Sequence, residues 1–251
     1  MINIVIPMAG RGSRFAKEGY QLPKPLIPVH DKRMIEVVVD NITPNKDHRF
    51  IFICQKEHLH KYDLKALLNK IAPGCVILTV PDVTEGAACT VLVAEDYINN
   101  DDELMIANSD QYVDISIDDY LSKMVNSDGL IMTMTADDPK WSFIKYNDCG
   151  NVVMLREKEV ISNEATVGIY NFAHGSDFVK AAKEMIRQNL RVNGEYYVAP
   201  AYNILIENGK IIKYHNIGAE DNGMYGLGIP SDLKKFLSNP LSFKYKNLKN
   251  N

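Results

Sequence analysis

Through the first half of the chain, short apolar runs alternate with stretches of helical periodicity, and this alternation constrains the fold more than any other feature. Residues 2–6, 49–54, 75–80 and 104–107 are rich in Ile, Val, Leu or Phe, the composition of strands buried on both faces. Between them Met34, Val37, Val38 and Ile42 recur at helical spacing, as do Leu59, Leu64, Leu67, Leu68 and Ile71. Val91, Ala94 and Ile98 predict a third helix, and Ile117, Tyr120, Leu121 and Met124 a fourth. Such a chain builds βαβ crossovers around a mainly parallel sheet.

The rhythm changes after Gly129. Residues 130–135, 143–146, 152–156 and 165–172 are strand-like with no helix between them, and the turn cluster at 147–151 makes 143–156 a hairpin. Phe178, Ala181, Ala182, Met185 and Ile186 mark one more amphipathic helix. A shorter helix is expected from near Glu195, with Pro200 in its early turns or kinking it. No Pro-, Gly- or Ser-rich linker divides the chain. The expectation is one α/β domain, residues 1–242, with a mixed, mostly parallel sheet and an inserted antiparallel hairpin. A basic tail, 243–251, is expected to fray from Phe243.

Composition removes several classes. A net charge of −4 argues against a dedicated nucleic-acid binder. No apolar run approaches the roughly 20 residues of a membrane span, and residues 1–10 lack the basic start of a signal peptide. Cys54, Cys75, Cys89 and Cys149 form no C-x-x-C pair, so a zinc ribbon or redox pair is not expected and a reducing cytoplasm fits. The six histidines, His58 and His60 among them, read as structural or surface residues.

Chemistry concentrates directly after the first strand, in Pro-Met-Ala-Gly-Arg-Gly-Ser-Arg-Phe at 7–15. Ala9, Gly10, Gly12 and Ser13 are small enough for backbone N–H groups to approach an anion closely. Residues 11–33 hold six Lys or Arg against two Asp or Glu, a local surplus of +4 that suits a polyphosphate. Arg14 supplies a planar fork and Lys24 a compact charge on a segment stiffened by Pro23 and Pro25. A Walker A loop is missing, and the dinucleotide fingerprint fails at Phe15, where a third glycine is needed.

Residues 9–15, followed by Leu-Pro-Lys-Pro-Leu-Ile-Pro-Val at 22–29, resemble the nucleotidyltransferase signature G-x-G-[TS]-R…P-K-P-L. That family includes sugar-1-phosphate nucleotidylyltransferases (pyrophosphorylases) and related cytidylyltransferases. The resemblance covers roughly residues 1–232, with its most specific part in the first 30. The Pro-Met-Ala-Gly opening is similar to small capsule-pathway cytidylyltransferases that use CTP, such as those acting on phosphoglutamine. The resemblance implies a three-layer Rossmann-like fold of the nucleotide-diphospho-sugar transferase type. It implies Arg14 and Lys24 as catalytic residues. Nucleotide contacts would come from Met8, Ala9, Gly10, Arg11, Gly12, Ser13, Gln55, Glu85, Gly86, Ala87 and Ser109. Asp110 would hold Mg²⁺, a hard cation suited to carboxylate and phosphate oxygens. Glu157, Lys158, Gly168 and Glu195 would face the acceptor.

One departure stands out. Sugar-1-phosphate members carry a second metal-binding Asp two residues before a G-T-P, and here that position is Gly226, in Tyr225-Gly-Leu-Gly-Ile-Pro230. Asp221 is the expected substitute, with Glu220 or Asp110 alone as alternatives.

The implied reaction is attack by an acceptor phosphate on the α-phosphorus of a nucleoside triphosphate, releasing pyrophosphate. A phosphate monoester is already anionic at neutral pH, with a second pKa of about 6, so no general base is needed. The expected partners are a nucleoside triphosphate and a phosphorylated small molecule, not nucleic acid or membrane, with a homo-oligomer left open. Cytosine is the first expectation for the base, uracil or thymine the second. The rival readings are a non-catalytic nucleotide-binding module, an NAD-dependent oxidoreductase and a glycosyltransferase, the last disfavoured by the lack of an Asp-x-Asp.

Overall fold

A computed structural model describes residues 1–246. From the N-terminus run β1 (Ile2–Pro7), α1 (Ser13–Lys17), the short ribbon β2 (Pro28–Val29) and β3 (Lys32–Arg33), and α2 (Met34–Ile42). There follow β4 (His48–Gln55), α3 (Lys56–Lys61), α4 (Leu64–Ile71), β5 (Val76–Val80), α5 (Ala87–Leu92), α6 (Glu95–Ile98) and β6 (Glu103–Ala107). The second half comprises β7 (Gln111–Val113), α7 (Ile117–Leu121), β8 (Gly129–Thr135), β9 (Ser142–Tyr146), β10 (Val152–Glu157) and β11 (Glu164–Phe172). It ends with α8 (Gly175–Arg187), α9 (Ala201–Glu207), β12 (Ile212–Glu220), β13 (Gly223–Gly226) and α10 (Pro230–Ser238).

Strand order in the main sheet is β5-β4-β1-β6-β11-β8-β12-β13-β7. β1 pairs in parallel with β4 and β6, and β4 with β5, as strand–helix alternation requires. β11 runs antiparallel between β6 and β8, and the hairpin β9–β10 leaves the sheet beside it. The expected mixed, mostly parallel sheet with an inserted hairpin is therefore present.

Alternation along β1 explains the layers. Ile2, Ile4 and Ile6 point into one apolar cluster with Ile35, Val38 and Ile42 of α2 and Leu64 and Leu68 of α4. Val5 points the other way, into a cluster with Val91 of α5, Phe178 and Met185 of α8, and Tyr202 and Leu205 of α9. Helix–sheet–helix stacking follows from this period of two. A third, smaller cluster gathers Phe15, Ile27, Val29, Met34, Tyr112, Tyr225, Leu233, Phe236 and Tyr245. It packs α1, the β2–β3 ribbon, β13 and α10 beneath the Gly-rich loop.

Several local expectations differ from the structure. The helix read over 59–71 is two helices, broken at Tyr62 and Asp63, and the one over 91–98 is also two. The helix expected near Glu195 begins at Ala201, with Pro200 as its N-cap. Residues before it are drawn into backbone bonds with another loop: Tyr196 N–H donates to Glu85 O (2.8 Å) and Ala88 N–H to Tyr196 O (3.0 Å). The tail does not fray at Phe243: Pro240–Tyr245 forms a 3₁₀ helix, Tyr245 is buried, and its hydroxyl donates to Asp40 Oδ2 (2.9 Å). Residues 247–251 of the expected tail lie outside the described residues. No described helix is long and apolar enough to cross a membrane.

Candidate active site

The Gly-rich loop leaves β1 at the carboxyl end of the parallel strands, the edge at which open α/β sheets bind ligands. Its first residues are anchored: Met8 and Ala9 are buried, and Met8 N–H donates to Ile53 O (2.9 Å). Gln55 Nε2 donates to Ala9 O (2.7 Å), so its amide braces the loop from the end of β4. Past Ala9 the loop faces solvent, with Gly10, Arg11 and Ser13 exposed and Gly12 half-buried. Gly12 takes the left-handed conformation at the start of α1 (φ 60°), which glycine adopts without strain. Arg14 makes no hydrogen bond or ion pair among the described residues and lines a cavity of about 570 Å³. Arg11 points away from that cavity's lining and meets Asp82 at 3.3 Å, an exposed pair.

Lys24 sits in a 3₁₀ turn, Lys24–Leu26, whose Pro25 and Leu26 are buried. Its side chain lies so close to Gly12 that a Cβ there would touch Lys24 Cβ at 3.4 Å. The ammonium is directed at Asp110: Nζ donates to Oδ2 at 2.7 Å, with both side chains 23% exposed. Asp110 follows β6, and its carbonyl accepts from Leu227 N–H (2.8 Å). Ser109 beside it is buried. The loop, Lys24 and Asp110 thus meet, although 86 residues separate the lysine from the aspartate.

The 84–88 turn follows β5. Gly86 has φ +132°, and a Cβ there would stand 2.4 Å from Tyr196 O, so only glycine fits against the passing 193–197 segment. Glu85 is exposed and forms an ion pair with Arg191, whose guanidinium lies 4.3 Å from the Tyr196 ring centroid. The turn carrying Glu85, Gly86 and Ala87 and the segment carrying Glu195 are therefore one backbone unit. Glu195 itself is exposed.

Glu157, Lys158 and Glu195 do not line the cavity beside Arg14; Ser142 donates to Glu157, and burial pushes the Glu157 carboxyl above the ordinary value of 4.5. Lys158 Nζ donates to Tyr197 OH (2.6 Å), a bond that raises the lysine above its usual range. Gly168 sits where the β11–β8 register shifts, and its bare Cα makes room for Asn108, whose Nδ2 would be 2.1 Å from an added Cβ.

The cavity beside Arg14 and Asp110 is also lined by Gln111, Lys140, Trp141 and Asp232, four residues that sequence reasoning missed. Gln111 adjoins Asp110 in the chain, which was a usable signal; Asp232 follows Pro230 and reads as an ordinary helix-start acid. Buried Gln111 Nε2 and Trp141 Nε1 have no hydrogen-bond partner among the described residues. Lys140 Nζ lies over the Trp141 ring and donates to Glu220 Oε1 (2.7 Å). Asp221 does not line the cavity: it accepts from Lys235 Nζ (3.0 Å). Among the described residues no three His, Cys, Asp or Glu side chains converge on a metal position. The cysteines are free, and burial pushes Cys54 up to about 12, so it is no nucleophile.

Known proteins are similar to this chain in sequence and in fold. The "Bifunctional protein GlmU" of Methanococcus aeolicus is 24% identical over 254 residues, covering 91% of this chain and 58% of that protein. The chain therefore spans little more than half the length of that curated relative. The low-salt glycan biosynthesis nucleotidyltransferase Agl11 of Haloferax volcanii is 26% identical over 252 residues, covering 98% of this chain and 67% of that protein. A crystal structure of the nucleoside-diphosphate-sugar pyrophosphorylase from Vibrio cholerae superposes with a TM-score of 0.80 at 26% identity, covering 94% of this chain and 100% of that one. Residues 4–197 match the nucleotidyl transferase family, and the chain belongs to it.

Proposed function

We propose that this chain transfers a nucleotidyl group from a nucleoside triphosphate to a phosphorylated small molecule. The observation that carries the reading is the Lys24–Asp110 contact, 2.7 Å, at the strand edge that also bears the Gly-rich loop. An oxygen of the acceptor phosphate forms the new bond to the α-phosphorus while the bond to pyrophosphate breaks. The acceptor is already anionic at neutral pH, so the protein's work is positioning and charge stabilisation. Loop amides, Arg14 and Lys24 serve the triphosphate; Lys24 is then drawn from Asp110 toward phosphate oxygens. Contacts from Glu157, Lys158 and Glu195 serve the acceptor.

The donor set fits Mg²⁺, which is usually bound by one or two carboxylates together with substrate phosphates. Asp110 would hold it, and the ammonium now against Oδ2 marks that carboxylate as a place where a cation is welcome. When bound, the ion neutralises phosphate charge and polarises the reacting phosphorus. CTP is the favoured nucleotide, with a capsule or other surface-polysaccharide precursor as product and the cytoplasm as the setting. UTP or dTTP with a sugar 1-phosphate is the alternative. Gly226 favours a different reading, a nucleotide-binding module without turnover.

Pyrophosphate release separates these readings. CTP, UTP, dTTP, ATP and GTP are each incubated with Mg²⁺ and a panel of sugar 1-phosphates and phosphorylated amino-acid or amide acceptors. Acceptor-dependent release, greatest with CTP, is the expected result. Nucleotide-dependent thermal stabilisation without release for any pair would establish the non-catalytic module.

A further inference from the structure

Residue 226 has no side chain, yet the space that side chain would fill is taken. A Cβ on Gly226 would stand 3.0 Å from Asp232 Oδ2 and 3.5 Å from Asp232 Cβ. The Asp232 carboxylate thus lies against β13 where a residue-226 side chain would project. Two residues on, Gly228 has the same relation to Asp110: a Cβ there would be 2.4 Å from Oδ2. Each glycine leaves room for a carboxylate arriving from another element, Asp110 from the end of β6 and Asp232 from the first turn of α10. Both acids line the same cavity.

An acid in a helix's first turn often does no more than face the positive end of the macrodipole. Asp232 departs from that ordinary role. It provides no side-chain cap to its helix, and its one hydrogen bond is from Ser231 Oγ to Oδ1 at 3.2 Å. Oδ2, the oxygen over Gly226, has no hydrogen-bond partner among the described residues. The nearby ammonium groups are committed elsewhere, Lys140 to Glu220 and Lys235 to Asp221. A separate observation points to a ligand in this cavity. Gln111 is only 4% exposed, lines it, and keeps an unpaired Nε2 donor. A buried donor without a partner is costly, which makes Gln111 the kind of residue that a bound ligand relieves.

We propose that Asp232, together with Asp110, holds the divalent cation that accompanies the nucleoside triphosphate. The proposal rests on the nucleotidyl-transfer reading and replaces Asp221, which is held by Lys235 outside the cavity. The side chain absent at 226 is supplied from six positions further along the chain.

Mn²⁺ binding, read by electron paramagnetic resonance in the presence of each of CTP, UTP, dTTP, ATP and GTP, tests this without turnover. Asp232→Ala is expected to weaken Mn²⁺ binding at least about tenfold. Gly226→Asp added to Asp232→Ala is expected to regain most of the loss, because the carboxylate returns to the same space. Unchanged Mn²⁺ affinity in Asp232→Ala, or a loss the added Gly226→Asp does not repair, overturns the assignment. If Asp110→Ala loses Mn²⁺ while Asp232→Ala keeps it, this assignment falls and the nucleotidyl-transfer reading stands. Wild-type protein that binds no Mn²⁺ with any nucleotide overturns both.

Discussion

The two ends of the proposed site are built differently. At the proposed nucleotide end much is exposed: Arg14 makes no hydrogen bond or ion pair among the described residues, and Gly10 and Ser13 face solvent, while Lys24 is held to Asp110. Its precision comes from what lies underneath, the third apolar cluster, which fixes α1, α10 and the ribbon beside the Lys24 turn. At the proposed acceptor end Glu157 and Lys158 are already paired, with Ser142 and Tyr197, while Glu195 is exposed. A polyphosphate brings its own charge to an open cradle. On the proposed reading a small acceptor is recognised by fewer groups, and Glu157 is the desolvated one, where leaving a partner unpaired is costly.

The comparison breaks most visibly at the cradle. Lys24→Ala or Arg14→Ala should lower turnover by about 10²–10³-fold, the usual loss for one preorganised donor, with an unchanged melting temperature. Near-normal pyrophosphate release in both variants would remove these residues from the chemistry.

The seam between the ends is the next place to press. Gly86→Ala adds a Cβ into the Tyr196 backbone at a φ that L-residues avoid. It should cost about 1–3 kcal/mol, at roughly 2–4 °C of melting temperature per kcal/mol. Because the turn and the 193–197 segment share backbone bonds, KM should rise for nucleotide and acceptor together. A rise for one substrate alone would show that the two loops act independently.

The smallest effect is expected at Glu157. Glu157→Gln should raise acceptor KM roughly tenfold, the scale of one hydrogen bond to a charged group, and leave nucleotide affinity alone. Stability carries a second signature. Burial raises the folded carboxyl, so charging it opposes folding; this penalty is absent below the ordinary value of 4.5, grows as pH rises toward the raised value and is constant above it. Thermal scans should therefore find the Gln variant gaining on wild type between mildly acidic and neutral pH. A constant difference across that range would mean that burial does not raise this carboxyl.

Local chemistry was legible in the sequence and long-range chemistry was not. The Gly-rich loop and the Pro-flanked lysine announce themselves because glycine, proline and charge act within a few residues. The alternation along β1, β4, β5 and β6 gave the layers for the same reason. Sequence reasoning could not pair Lys24 with Asp110, 86 residues apart, or seat Asp232 over Gly226, a contact that needs α10 packed against β13. Pro200 misled because Tyr196 is held by Glu85 and Ala88, partners more than a hundred residues upstream. β12 was missed because its half-buried, mixed run Ile212–Glu220 lacks a clean period of two.

Trp141 is the sole indole in 251 residues, and it borders the cavity with its Nε1 unpaired. Its emission is consequently a label-free reporter placed by the fold itself. Quenching or a spectral shift on titration can be attributed to that one location, so occupancy of the cavity can be followed in solution before any turnover assay exists.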